Sequence, residues 1–194
     1  MYHIIKDKRS IQSSKWIYAS LTALMLEKKY TNITITDVAE KAIISRSTFY
    51  RSFDSLDDVL RLKCDTCFNE LYIYLLKYYK ANSFSAKEEK MVFLKPFLRY
   101  WYVDSSIIEF LILANKLDIF NESFKNMFKL FSPNLNKSHA IIANHLDYYI
   151  AVRSGVAINV LLQWIRNGQD VPPDDLADLI VSHVNELISL DLLL

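Results

Sequence analysis

Two glycines and four prolines are all that this 194-residue sequence offers of the residues that punctuate turns and strand ends. Their scarcity excludes a chain of many short strands and predicts long helices joined by short loops, an all-α protein. With Gly155 and Gly168 thirteen residues apart, neither G-x-G-x-x-G nor a P-loop can be written, which excludes phosphate-cradle chemistry. His3, His139, His145 and His183 form no H-E-x-x-H pair and adjoin no nucleophile motif, so the inventory predicts neither an enzyme nor a cofactor. Long apolar runs are missing too. The longest stretch free of charge, Ser154 to Ile165, has twelve residues, against about 20 for a membrane span. The first ten residues are polar and basic with no apolar stretch behind them, and the expected location is the cytoplasm.

Cysteine is scarce as well. Cys64 and Cys67 form a lone C-x-x-C that puts both sulfurs near one face of a helix. Zinc sites want four ligands and thioredoxin-type pairs follow a strand, so the pair reads as two partly buried helical residues.

What is present is an uneven charge. The net charge of +1 divides into eleven basic against seven acidic residues up to Lys63 and twelve against fifteen beyond it. A basic head on a slightly acidic body is the distribution a nucleic-acid-binding head produces.

Apolar periodicity then lays out the helices. Ile17, Leu21, Leu24 and Met25 mark a first helix from Ser14, closed by Lys28 and Lys29. Thr34 with Asp37 reads as a capping box ahead of Val38, Ala39 and Ala42. Ser45 caps a third start whose Phe49 and Phe53 face inward, and Ser55 with Asp58 opens a long helix towards Lys80 that links head to body. The polar stretch Ala81–Lys90 is the main internal boundary. Met91–Val103, Ile107–Leu117, Phe120–Phe131 and His139–Arg166 read as further helices, Gly168 suiting a left-handed end. After Pro172-Pro173, Leu176, Leu179, Ile180, Leu187 and Ile188 form the stripe of a last one. The expected domains are a helix-turn-helix head, residues 1–55, and a helical effector-binding and dimerisation body, residues 56–194.

Two short helices separated by about three residues, the second rich in small polar and basic side chains, supply what a helix-turn-helix needs: one brace and one helix for the major groove. Arg46, Ser47, Thr48, Tyr50 and Arg51 offer the donors. The stretch Ala23–Leu60, with Tyr30, Thr34-x-x-x-Val38-Ala39 and Ser45-x-x-Thr48-Phe49-Tyr50-x-x-Phe53, resembles the head of the tetracycline-repressor (TetR) family. The resemblance implies a dimeric repressor on a pseudo-palindromic double-stranded DNA operator. Thr36 and Tyr50 take the place of phosphate-contacting residues, and Arg46, Ser47, Thr48 and Arg51 that of groove-facing ones. Two positions depart from the family pattern: Ile43 stands where a glycine is usual between the helices, and Leu56 where a phosphate-contacting lysine is common.

Tyr148–Ile180 resembles the family's C-terminal region more loosely. In that family the last two helices pair with a second subunit as a four-helix bundle, which implies dimer contacts at Val156, Val160, Leu161, Trp164, Leu176 and Ile180. Phe97, Tyr100, Trp101, Phe110, Phe120, Phe124 and Phe128 supply either the wall of a cavity for a small apolar or aromatic effector or plain core, and the sequence leaves the two open. The rival reading is a helical protein-interaction module that keeps the head without specific DNA binding.

Overall fold

The structure is a computed structural model that describes residues 1–3, 8–81, 93–135 and 145–189. Its nine α-helices among those residues are α1 (Lys8–Glu27), α2 (Ile35–Lys41), α3 (Arg46–Tyr50), α4 (Leu56–Ala81), α5 (Leu94–Val103), α6 (Ser106–Ala114), α7 (Leu117–Leu135), α8 (Leu146–Arg166) and α9 (Pro173–Ser189), with a 3₁₀ turn at Tyr30–Asn32. No strand occurs among the described residues, only an isolated bridge between Tyr2 and Phe53. The fold is all-α, as the shortage of glycine and proline predicts. The expected boundary at Ala81–Lys90, the starts at Met91 and His139 and the side chains of Leu187 and Ile188 lie outside what is described.

The chain divides into two compact units, Met1–Phe68 with Ser106–Phe131, and Asn69–Ser105 with Ser132–Leu194. In the first, the α1 face made by Ile17, Leu21, Leu24 and Met25 is buried, and α1 packs on α2 and α6. The helix begins at Lys8, ahead of Ser14, because Ser14 is an interior residue: its hydroxyl donates back to the Ile11 carbonyl at 2.8 Å. Phe68 of α4 meets Phe120 at 4.9 Å and Phe124 at 5.9 Å between ring centres, so these aromatics of α7 are core. In the second unit Phe97, Leu98 and Trp101 of α5 are fully buried, and α9 lies along α5. Two ion pairs one helical turn apart hold it there, Lys95 to Asp178 and Arg99 to Asp174. The Arg99 guanidinium is raised above its usual range chiefly by the Asp174 hydrogen bonds.

Three helices end in the same backbone motif. After α2 the Ile43 amide donates to Glu40 O and Ile44 to Ala39 O; after α6 Asn115 donates to Ile112 O and Lys116 to Leu111 O; after α8 Gly168 donates to Ile165 O and Gln169 to Trp164 O. This is the Schellman pattern, which needs one residue with left-handed φ. Gly168 fills it at φ 74, as the sequence suggests, but the other two ends use Asn115 and Ile43, both at φ 55. A β-branched residue in that region carries strain, and Ile43 is 92% exposed, so its side chain recovers nothing by burial. Replacing Ile43 by Gly relieves the left-handed penalty at some cost in unfolded-chain entropy, a net gain of about 0.5–1 kcal/mol. A thermal melt of Ile43→Gly is expected to run about 1–4 °C above wild type; a lower midpoint would show that the isoleucine contributes contacts that outweigh its backbone.

Candidate nucleic-acid interface

The two helices of the motif are both fixed at their N-termini. At α2 the Thr34 hydroxyl accepts from the Asp37 amide at 3.1 Å, while the Asp37 carboxylate accepts from the Thr34 amide at 2.7 Å, a complete capping box. The Lys28 ammonium and then these Thr34 bonds lower the Asp37 carboxyl to about 2, so the cap holds through the whole neutral and mildly acidic range and is lost only as pH falls towards 2. At α3 the Ser45 hydroxyl accepts from the Thr48 amide at 3.1 Å. Ile43 lies between the two caps, in the turn that redirects the chain.

α3 then presents two faces. Phe49 is completely buried, with Phe53 beside it at 5.7 Å between ring centres. Arg46, Ser47, Tyr50 and Arg51 are exposed, the Tyr50 ring standing edge-on to Phe49 at 5.8 Å. Among the described residues no carboxylate pairs with Arg46 or Arg51. The hydroxyls of Ser47 and Thr48 both lie within hydrogen-bond distance of Ser45 Oγ, at 2.8 and 2.9 Å, so they belong to the cap as well as to the candidate surface, and Thr48 is half-buried. Thr36 is exposed in the first turn of α2.

The start of α4, where Leu56 replaces the expected lysine, is closed by the protein itself. The buried Asp58 carboxylate accepts from the Asp54 amide at 3.2 Å, the Ser55 amide at 3.1 Å and the Ser55 hydroxyl at 3.0 Å. A carboxylate therefore sits at the positive end of α4, and Leu56 itself is half-buried. Beside it, Asp57 accepts from Tyr30 Oη and Lys116 Nζ, two partners that sequence spacing could not have revealed because they lie 27 and 59 residues away.

Of the expected dimer residues, Leu161 and Trp164 are buried within their own chain, and Trp164 Nε1 donates to Val171 O at 2.8 Å. Val160, Leu176 and Ile180 are half-buried and Val156 is exposed. Tyr148 and Val152, two turns and one turn before Val156 on α8, are exposed at 76% and 68%, and Leu179 on α9 at 61%. Among the described residues no helix is long and apolar enough to cross a membrane.

No family model matches the chain, and no curated protein matches it. Among solved structures it is similar to the fatty acid degradation regulator FadR from Bacillus halodurans, at 12% identity and a TM-score of 0.48 over 86% of this chain and 90% of that one. At that distance the likeness carries no function across.

Neither Cys64 nor Cys67 is in a disulfide, and both are buried, deeper than the partial burial their spacing suggested. Burial pushes the Cys64 thiol up to about 12, and no cluster of three or more metal-ligating side chains occurs among the described residues. Nucleophilic attack by a thiol needs the thiolate, which is scarce here at neutral pH. Iodoacetamide at neutral pH is expected to leave both thiols unmodified in the native protein and to alkylate both in denaturant. Rapid native labelling of either would place it at the surface.

Proposed function

We propose that this protein is a DNA-binding transcriptional regulator of the tetracycline-repressor type, a repressor that acts as a homodimer on a pseudo-palindromic operator with α3 in the major groove. The observation that carries the reading is the two-faced α3, anchored by Phe49 behind and presenting Arg46, Tyr50 and Arg51 in front without a carboxylate partner among the described residues. An unpaired guanidinium on such a helix is suited to a guanine edge or a phosphate. Thr36 at the start of α2 adds a hydroxyl for the flanking backbone, and Ser47 and Thr48 add theirs once the cap bonds rearrange or share. A small apolar or aromatic effector that releases the DNA belongs to the same reading. The body aromatics Phe97, Trp101, Phe120 and Phe124, being fully buried, name no lining for it.

Dimerisation is supported by the α8 face. Tyr148, Val152 and Val156 expose an apolar row, and Gly155 sits in the same row. A mid-helix glycine costs about 1 kcal/mol relative to alanine, yet a Cβ placed on Gly155 meets nothing within 4 Å among the described residues. Close approach of a partner helix gives that glycine a use. In this arrangement Leu161 and Trp164 brace the interface from behind, and the two recognition helices stand about 34–36 Å apart, one turn of DNA.

Two measurements test the reading. Fluorescence anisotropy with mixed-sequence duplex DNA should show affinity falling steeply over a salt series, since phosphate neutralisation releases counterions. Arg46→Ala and Arg51→Ala should each weaken binding to a selected operator by about 1–3 kcal/mol without loss of fold. Salt-independent or absent DNA binding would favour the interaction-module alternative, and unchanged affinity in both variants would remove these arginines from the groove. Sedimentation should find a dimer at micromolar protein that Val156→Glu and Gly155→Leu convert to folded monomer. A monomeric wild type that still binds one half-site would overturn the dimer.

A further inference from the structure

Outside the candidate interface, the chemistry concentrates on one carboxylate gripped from two sides. Asp57, in the first turn of α4, accepts from Tyr30 Oη through Oδ1 at 2.6 Å and from Lys116 Nζ through Oδ2 at 2.7 Å. All three residues are half-buried. Tyr30 opens the 3₁₀ turn that leads into the Thr34 cap of α2, and Asp57 follows the end of α3 by way of the Asp58-capped connector. A single carboxylate thus ties the segment entering the helix-turn-helix to the segment leaving it. Lys116 is fixed in its turn, because it is the residue after left-handed Asn115 and its amide closes the α6 end on Leu111 O at 2.9 Å.

The same side of α4 continues in polar contacts at the next two turns, where Arg61 pairs with Glu122 and Asp65 accepts from Ser123 Oγ at 2.5 Å. These bonds join α4 to α7, so the Lys116 contact is the end of a polar seam nearest the motif. Partly exposed ion pairs of this kind contribute little net stability, since desolvation and side-chain ordering offset most of the Coulomb gain. Their effect is directional: a carboxylate with both oxygens engaged permits one orientation of the groups around it.

We propose that Asp57 and Lys116 are positioning residues that anchor the helix-turn-helix to the turn between α6 and α7, holding α2 and α3 at a fixed attitude for DNA. Its bearing on DNA rests on the regulator reading above, whereas the anchor itself can be measured without DNA. Lys116→Met removes the ammonium and leaves the Tyr30–Asp57 bond. Asp57→Asn keeps an acceptor for Tyr30 and removes the charge. Native-state hydrogen exchange on the full chain should show the amides of 48–53 opening about threefold faster in either variant, no faster again in the double variant, and unchanged on α7. Lys116→Arg should restore the slow exchange. With mixed-sequence duplex DNA, Lys116→Met should lower affinity about tenfold at fixed salt while the salt slope stays that of wild type.

Exchange at 48–53 that stays at the wild-type rate, or acceleration shared equally by every helix, would overturn the anchor, the second outcome marking a merely structural role. A salt slope reduced by about one would make Lys116 a phosphate contact and overturn it also. A wild type that binds no duplex, with 48–53 still loosened by Lys116→Met, would sink the regulator reading and leave the anchor standing. Tight wild-type binding that Lys116→Met leaves untouched, in exchange and in affinity, would sink the anchor alone.

Discussion

Phe49 is the contact through which five helical residues become a usable surface. A helix as short as α3 cannot persist in water, because nucleation costs more than its few hydrogen bonds return. Full burial of the Phe49 ring, with Phe53 against it, supplies what propensity cannot, and truncating such a ring in a core costs about 3–5 kcal/mol. The Ser45 cap adds about 1 kcal/mol and fixes where the helix begins. Once the inner face is pinned, the outer side chains are set by helical geometry alone. Arg51, two residues on from Phe49, stands on the solvent side because Phe49 stands on the other, and Arg46 is exposed at the first position of the helix.

α4 extends the same logic with two sides of different chemistry. Leu60, Cys64 and Phe68 are buried at four-residue spacing and give the helix its stability, whereas Asp57, Arg61 and Asp65, at the same spacing, give it polar partners on the α6–α7 turn and on α7. The apolar side tolerates small shifts, since packing is non-directional. The polar side does not, because each bond has a donor and an acceptor at defined positions.

How much of this was legible in the sequence follows from the range of each interaction. The Thr34–Asp37 box, the Ser45 cap and the Ser55–Asp58 pair are three-residue patterns, and all of them form. Inward positions such as Ile17, Leu21, Phe49 and Phe53 follow from helical periodicity and are buried. Hidden were the partners that meet only after folding. Nothing near Asp57 in the chain points to Tyr30 or Lys116, and nothing near Ser47 says that its hydroxyl turns back to Ser45. Leu161 and Trp164 were legible as apolar, but whether their own chain or a second one covers them is a tertiary question; their own chain does. The left-handed end after α2 was marked only by the glycine usual there in the resembled family, since isoleucine itself is among the last residues one would assign to it.

The first compact unit is assembled from two stretches, Met1–Phe68 and Ser106–Phe131, with residues 69–105 between them in the chain. Its core includes Ile107, Leu111, Phe120 and Phe124, all fully buried, and Phe68 lies against the last two. On the ribosome, then, the unit that holds α2 and α3 cannot complete its packing when those helices emerge. It waits for α6 and α7, which arrive only after α5 has been made, and until then the apolar faces of α1 and α4 lack part of their cover. Such faces are what chaperones bind and what drives premature association. A gene fragment ending near residue 68 would inherit the same exposed surface permanently, so the unit that holds α3 is tied to the later part of the chain by synthesis order as well as by packing.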